Sequence, residues 1–324
     1  METIKKLLIA LALIITTTAP AMAQEIYFSQ FYADKLSLNP AYAAISGNSE
    51  ICMILRDQFP GVKGGFKTYG ASYLQNLGRC GFGLRAYGTA SGGGYSQHQV
   101  SATYANIIKI SKKIKCSTAI EASFAAKNLN QNGHVYYSMI DPLNGSITYN
   151  QQPVEYTAPR DIAASVGIIV FSKTTSLGIA AYSIAQYKIS GGTEMPKTIS
   201  IFANHKIELS KNSRRSKEDS PCLIPSIIFR HQDDISTIQT GAYIENTPLI
   251  GGLSYRMQTG GYTQHYIIAS IGTTIRQIQI GYGHDFNLST INKMSYGSHE
   301  IAVKYKLNNN KKNHRRETIF CPAF

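Results

Sequence analysis

The residues of this chain that could do chemistry are a glycine-rich run, eight histidines and a few aspartates. The run Gly61-Val-Lys-Gly-Gly-Phe-Lys-Thr68 approaches a phosphate-binding loop. Phe66 stands where that motif needs a glycine so that the backbone can curl around phosphate, and the run does not lie between a strand and a helix. The sequence has no Gly-x-Ser-x-Gly motif to present a nucleophilic serine. Neither phosphate binding nor serine chemistry is therefore predicted.

The histidines and aspartates form no catalytic or metal-binding pattern either. The histidines are His98, His134, His205, His231, His265, His284, His299 and His314. No two of them have the spacing at which a helix presents paired metal ligands, and there is no His-Glu-x-x-His motif. Asp141, Asp233 and Asp234 invite an acid–base role, but loop aspartates more often stabilise turns through local hydrogen bonds. We therefore predict no cofactor, no metal and no enzymatic activity, and expect a function in recognition.

Any recognition surface must be positioned by the secondary structure of the chain, and the stretch Ser298–Leu307 shows a clear β-strand pattern. His299, Ile301, Val303, Tyr305 and Leu307 alternate with Ser298, Glu300, Ala302, Lys304 and Lys306. This period of two is typical of a β-strand with an apolar and a charged face, and it predicts the last strand of a membrane-embedded β-barrel. The set predicted to face the lumen is Glu300, Lys304 and Lys306, and the set predicted to face lipid is Ile301, Val303 and Tyr305.

About fourteen segments of strand length follow one another along the chain. They lie near 50–56, 67–77, 80–88, 95–108, 115–126, 161–172, 176–187, 197–209, 222–231, 235–244, 248–257, 262–273, 275–284 and 298–307. Helical periodicity is nearly absent, and Ile, Tyr and Thr are abundant. The fold class is therefore predicted to be all-β, an antiparallel transmembrane outer-membrane β-barrel of about 14 strands.

The connections between these segments tend to alternate between long and short, as they do in outer-membrane barrels with short periplasmic turns and longer outside loops. The longest outside loop is Lys127 to Arg160. Two connections break the trend: the outside loop Gln232 to Asp234 is short, and the periplasmic connection Ser210 to Ser220 is long and basic.

The chain divides into four predicted regions. Residues 1–23 have a charged start, an apolar run and a small-x-small end, which predicts a secretory signal peptide. Residues 24–49 are aromatic and irregular, and they are expected to plug the lumen or line the periplasmic mouth of the barrel. Residues 50–307 form the barrel, and residues 308–324 are a basic periplasmic tail.

Composition restricts the partners. The formal net charge is +13, and an exported basic chain is expected to meet acidic lipid headgroups or an acidic protein surface rather than nucleic acid. The five cysteines have no Cys-x-x-Cys spacing, so no zinc site or disulfide framework is indicated. Tryptophan is absent, so the 21 tyrosines would have to supply the aromatic girdles of a barrel.

Several blocks together resemble the PorP/SprF family of type IX secretion system outer-membrane proteins. They include Phe28-Ser-Gln-Phe-Tyr32, Leu38-Asn-Pro-Ala-Tyr-Ala43, Arg56-Asp-Gln-Phe59, Asp141-Pro142, Gly281 to Ser289, Gly297-Ser-His-Glu-Ile301 and Cys321-Pro-Ala-Phe324. A tryptophan is usual in the family where this chain has Phe59. The resemblance implies an outer-membrane barrel that serves protein secretion and, in gliding bacteria, the surface delivery of adhesins. It further implies periplasmic ring components and cargo with a C-terminal secretion domain as partners, beside outer-membrane lipid.

Two function classes remain open beside secretion. The candidate partner-binding residues for secretion are Phe28, Phe31, Tyr32, Asn39, Pro40, Asp141, Pro142, Arg315 and Arg316. An outer-membrane channel or transporter for a small solute is the main alternative, because many barrels of this size pass ligands. A secreted soluble β-protein, such as an adhesin, is the third.

Overall fold

The computed structural model describes residues 28–45, 47, 49–130, 146, 157–191, 195–209, 221–260, 263–288 and 296–307. Within these ranges a four-residue helix, α1 (Lys35–Leu38), and a short 3-10 helix (Pro40–Ala44) precede the strands. No helix in the described ranges is both long enough and apolar enough to cross a membrane.

Fifteen strand segments follow in the described residues. They are β1 (Ser49–Gln58), β2 (Phe66–Asn76), β3 (Cys80–Ser91), β4 (Tyr95–Lys109), β5 (Lys115–Leu129), β6 (Arg160–Phe171), β7 (Thr175–Ser190), β8 (Thr198–His205), β9 (Ile207–Glu208), β10 (Cys222–Gln232), β11 (Ile235–Asn246), β12 (Leu249–Thr259), β13 (Gln264–Ile275), β14 (Ile278–Asn287) and β15 (Ser298–Leu307). β8 and β9 both pair with β10 and form one interrupted strand. The barrel wall therefore has the predicted fourteen strands.

Every strand pairs antiparallel with its neighbours, and the sheet closes on itself. β1 and β15 run side by side from the pair Ser49↔Leu307 to the pair Gln58↔Ser298. The all-β barrel predicted from alternation is thus confirmed. One difference is the break in the predicted strand 197–209, where the Lys206 backbone N–H turns to donate to the Thr174 carbonyl at 2.7 Å.

The two faces of the wall differ as alternation requires. On β15, Glu300 and Lys304 are each 1% exposed and point into the lumen, whereas Ile301 and Val303 are 49% and 39% exposed on the outside. The lumen and lipid faces predicted for this strand are therefore confirmed, with Lys306 half-buried at its end. A wall with an apolar exterior is the arrangement that lipid requires, because closure leaves no unpaired sheet edge.

The connections divide the barrel into two ends. Both chain ends of the wall, Ser49 and Leu307, lie at one end, where most connections are short. Short turns mark the periplasmic side of outer-membrane barrels, so this end is the periplasmic rim and the opposite end is the extracellular rim. At the extracellular rim Asp233 adopts φ 46° in the turn between β10 and β11, and its carboxylate accepts a hydrogen bond from the Lys197 backbone N–H at 3.2 Å.

Candidate functional site

Residues 28–45, the inner segment, lie inside the barrel and bury almost all of their side chains there. The 3-10 helix packs against β2 to β6. Because the segment directly precedes β1 at the periplasmic rim, it occupies the lumen from that side upward. The wall residues that touch it define the candidate site.

Asn39 and Pro40 fix the start of the 3-10 helix. The Asn39 side chain accepts a hydrogen bond from the Ala41 backbone N–H at 2.9 Å, and Pro40 occupies the first helical position, where its missing N–H is harmless. The Asn39 amide also donates to the carbonyls of Ile168 and Ile179, at 3.2 and 2.9 Å. One side chain therefore caps the helix and ties it to β6 and β7.

The 3-10 helix lies so close to the wall that a glycine is needed beneath it. A Cβ placed on Gly81 would lie 2.0 Å from the Ala43 carbonyl oxygen. Ser117 and Asn76 donate from the wall to the Ala41 and Ala44 carbonyls, at 2.8 and 3.0 Å. These bonds satisfy carbonyls that a short helix leaves without internal partners.

Aromatic packing holds the middle of the inner segment. Phe31 and Tyr32 meet Tyr243 of β11 edge-on, with ring centroids 5.8 and 4.9 Å apart, and Tyr42 stacks on Phe202 of β8 at 5.5 Å. Such contacts add about 0.5–1.5 kcal/mol each beyond area burial. The segment is therefore packed like a core rather than laid loosely in a pore.

A buried group of charges, the Arg56 cluster, links four wall strands. It consists of Arg56 on β1, Arg256 on β12, Asp285 on β14 and Glu300 on β15. Arg56 donates to Glu300 at 3.0 Å and to Asp285 at 2.8 Å, and Arg256 donates to Asp285 at 2.6 Å. Two guanidinium groups thus balance two carboxylates in a buried location, which is how buried charge is tolerated.

The inner segment completes the Arg56 cluster. The backbone N–H groups of Ser29 and Gln30 donate to the two oxygens of Glu300, at 2.9 and 2.7 Å. The Ser29 hydroxyl donates to Asp285 at 2.6 Å and accepts from Arg56 at 2.7 Å. Glu300 therefore serves as an anchor for the chain as well as a partner of Arg56.

A second group, the Arg85 cluster, lies across β3, β4 and β5. Arg85 pairs with Glu121 at 3.3 Å, and Thr103 donates to the same carboxylate at 2.9 Å. The Arg85 guanidinium also lies 5.1 Å from the ring centroid of Tyr87. These contacts are made between wall residues only.

Near the Arg85 cluster the inner segment places one carboxylate, and two of its carbonyls accept hydrogen bonds from other wall residues. Arg230 donates to the Ser37 carbonyl at 2.6 Å, and Tyr182 donates to the Leu36 carbonyl at 2.9 Å. Asp34 is buried beside Arg85; burial raises the pKa of this carboxyl, and Arg85 partly opposes that shift. The cavity that remains between Asp34, Arg85 and Arg230 is about 10 Å³, space for one water at most.

The structure brings five of the nine predicted partner-binding residues together inside the lumen. Phe28, Phe31, Tyr32, Asn39 and Pro40 are all buried there. The other four, Asp141, Pro142, Arg315 and Arg316, lie outside the described residues. Whether any of the nine binds a partner stays a prediction.

The charged residues of the two clusters are the site residues that sequence reasoning missed, Glu300 apart. Arg56, Arg85, Glu121, Arg256 and Asp285 all stand on the inward phase of their strands. A charge on that phase needs a buried partner, and this rule would have marked them as a set. Which charge meets which depends on strand order, because Arg56 and Asp285 are 229 residues apart.

The exposed charges of the periplasmic rim are mostly basic within the described residues. They are Arg79, Lys109, Lys112, Lys113, Lys173 and Arg276, with Glu208 as the acidic exception. A rim whose charges are mostly positive attracts partners with a negatively charged surface.

The structure is similar to solved structures at low sequence identity. A monoaromatic hydrocarbon channel, CymD, is 10% identical over 86% of this chain and 93% of its own, with a TM-score of 0.50. The Ralstonia pickettii toluene transporter TbuX is 12% identical over 85% and 94%, with a TM-score of 0.48. A Pseudomonas aeruginosa FadL homologue is 12% identical over 83% and 93%, with a TM-score of 0.47. These similarities concern the barrel alone.

No curated protein matches the chain. The family model for the type IX secretion system membrane protein PorP/SprF matches residues 21–305, which is most of its length. Together with the closed barrel and its apolar exterior, this match places the protein in the outer membrane. The chain belongs to the PorP/SprF family of type IX secretion system membrane proteins.

Proposed function

We propose that this outer-membrane protein binds secreted cargo and components of the secretion machinery, and that it thereby supports the surface delivery of adhesins. The role in type IX secretion follows from family membership. Cargo with a C-terminal secretion domain and periplasmic ring components are the partners we propose.

The observation that carries the proposal is the inner segment. Side chains as large as Tyr32, Leu36 and Tyr42 fill the lumen, and the chain is tied to the wall by Glu300 and Asn39. A lumen occupied in this way favours a binding protein over an open pore. A partner that binds at the periplasmic mouth would act on the barrel through residues 28–45.

The basic periplasmic rim supports a periplasmic partner with an acidic surface. Lys112 and Lys113 project together from the turn between β4 and β5. We expect Lys112→Glu with Lys113→Glu to reduce co-purification of secretion-ring components in mild detergent. The control is Lys63→Glu at the extracellular rim, which makes half that change of charge on the opposite side of the membrane.

Deletion of residues 24–44 tests the proposal most directly. The deletion is expected to abolish surface display of cargo, measured by antibody labelling of intact cells. The barrel should remain inserted, as shown by its heat-modifiable mobility on gels. Normal surface display of cargo by cells whose truncated barrel is inserted would contradict the proposal.

The same variant separates the secretion role from the alternative, a channel for a small solute. In planar bilayers the full-length chain should show low conductance and the truncated chain a large increase. A clear solute-dependent flux through the full-length chain would favour the channel instead.

A further inference from the structure

Histidines are concentrated on the outside of the extracellular rim. Of the six histidines in the described residues, five lie on the outward face near the extracellular ends of their strands: His98, His231, His265, His284 and His299. The sixth, His205, lies toward the periplasmic rim. This asymmetry is absent from the linear sequence and arises from the strand directions.

Three of these imidazoles are bonded to tyrosine hydroxyls through Nδ1, and the Nδ1 of His299 also lies 3.3 Å from the Nδ1 of His284. The hydroxyls of Tyr69, Tyr255 and Tyr282 lie 3.1, 2.6 and 2.7 Å from the Nδ1 atoms of His98, His265 and His299 respectively. The pairs lie on different parts of the wall, on β2 with β4, on β12 with β13, and on β14 with β15. Recurrence at three places on one rim indicates a common purpose.

The Tyr69–His98 pair reaches across an intervening strand. Tyr69 and His98 are both in register with Gly88 of β3, which lies between them. A Cβ on Gly88 would come within 2.6 Å of the tyrosine hydroxyl and 2.8 Å of the imidazole Nδ1. The glycine therefore leaves the space in which the pair forms.

The hydrogen bond sets what each imidazole offers to its surroundings. When the tyrosine hydroxyl donates to Nδ1, the neutral ring carries its proton on Nε2. Each pair then presents an N–H donor at the membrane interface, just beyond apolar neighbours such as Leu55 and Ile301. Tyrosines are favoured at this level because their rings are apolar and their hydroxyls are polar.

The periplasmic rim lacks this arrangement within the described strands. Its outward aromatic pair is Phe82 with Tyr104, with ring centroids 5.3 Å apart. His205 is bonded to the Thr175 hydroxyl, at 2.9 Å, rather than to a tyrosine. Among the described strands, imidazole N–H donors oriented by a tyrosine hydroxyl therefore occur only at the level of the outer leaflet.

The charges beside the pairs suit an anionic acceptor near Tyr69. Lys67 lies two residues from Tyr69 on the same exposed face. Asp57 is in register with Lys67 on one side and His299 on the other, so it offsets part of the positive charge there. The Tyr255–His265 pair has Met257 opposite His265.

We propose that the three Tyr–His pairs bind phosphate groups on lipid headgroups of the outer leaflet. The oxygens of a fully ionised phosphate group accept hydrogen bonds and donate none. They therefore complement Nε2–H groups that are held at the depth of the lipid headgroups. Lys67 adds a cation to the site at Tyr69 and His98. The pairs thereby orient the barrel in the outer leaflet and select phosphorylated lipid around it.

The test uses the full-length protein in detergent with diphosphorylated lipid A or the same lipid after enzymatic removal of its phosphates. One net hydrogen bond corresponds to about five-fold in affinity. We expect native mass spectrometry to show that preference for the phosphorylated lipid in the wild type and in His205→Phe. The triple variant His98→Phe, His265→Phe and His299→Phe, which removes the ring nitrogens, should lose it.

Two results would overturn the proposal. One is equal binding of the two lipids to the wild type, and the other is an undiminished preference in the triple variant. Should the triple variant fail to fold, Tyr69→Phe, Tyr255→Phe and Tyr282→Phe keep the rings and remove the hydroxyls. These variants should also weaken the preference while His205→Phe retains it, and an unchanged preference in them counts equally against the site.

Discussion

The Arg56 cluster and the Arg85 cluster are both buried groups of charge on the inner wall, but the inner segment completes only one of them. In the Arg56 cluster, Glu300 accepts the backbone N–H groups of Ser29 and Gln30 as well as the Arg56 guanidinium. The Arg85–Glu121 pair is satisfied by wall residues such as Thr103. The first cluster therefore couples the segment to the barrel, and the second chiefly joins neighbouring strands.

Removing one carboxylate from each cluster, Glu300 or Glu121, should separate these two roles. Glu300→Ala leaves Arg56 short of a partner and two backbone donors without an acceptor, and Glu121→Ala leaves Arg85 short of one. Each change should lower the free energy of unfolding by about 3–5 kcal/mol, because an uncompensated buried charge remains. Urea titration of the liposome-inserted barrel measures that loss.

The segment itself should respond to only one of these changes. Hydrogen exchange at Ser29 and Gln30 should rise strongly in Glu300→Ala and stay near the wild-type rate in Glu121→Ala. Equal exchange in the two variants would mean that both clusters hold the segment, and the contrast between them would be lost.

The strand pattern of the wall could be predicted from the sequence, because alternation with period two records which face meets lipid. Alternation predicts opposite faces for Glu300 and Val303, and their burial agrees with it. The location of Phe28 and Tyr32 was harder, because aromatic residues suit a partner surface and a packed lumen equally well. Contacts such as Ser29 to Glu300, 271 residues apart, depend on barrel closure, which no local pattern records.

A pair of substitutions on β15 sharpens the contrast between the wall and the segment. Val303→Lys places a cation on the lipid face and should cost about 2–4 kcal/mol near the middle of the membrane, which blocks assembly. Lys304→Gln changes the next residue, whose ammonium donates to the Tyr32 carbonyl at 3.0 Å. It should insert normally and raise hydrogen exchange around Tyr32.

Membrane fractionation and heat-modifiable mobility report insertion of both β15 variants. Failure of Lys304→Gln to insert, together with normal insertion of Val303→Lys, would show that the two faces of β15 are assigned the wrong way round.

Gly81 tests whether close packing alone holds the periplasmic end of the segment. Gly81→Ala forces the Ala43 carbonyl away from the wall, and overpacking of this kind costs about 1–3 kcal/mol. Gly251→Ala is the matched control, because a Cβ there meets nothing within 4 Å. Thermal unfolding should distinguish the two, and equal midpoints would show that the 3-10 helix shifts without cost.

Substitutions of Asn39 should have the smallest effect on the free energy of unfolding. Two variants separate the contribution of the helix cap from that of the bonds to the wall. Asn39→Ser keeps an oxygen that caps the 3-10 helix but loses the donations to the Ile168 and Ile179 carbonyls. Asn39→Ala loses the cap as well, which adds about 1 kcal/mol. Unfolding free energies in the order wild type, Ser, Ala would show that both the cap and the ties to β6 and β7 stabilise the segment. If both variants match the wild type, the segment is held by the Arg56 cluster and aromatic packing without help from Asn39.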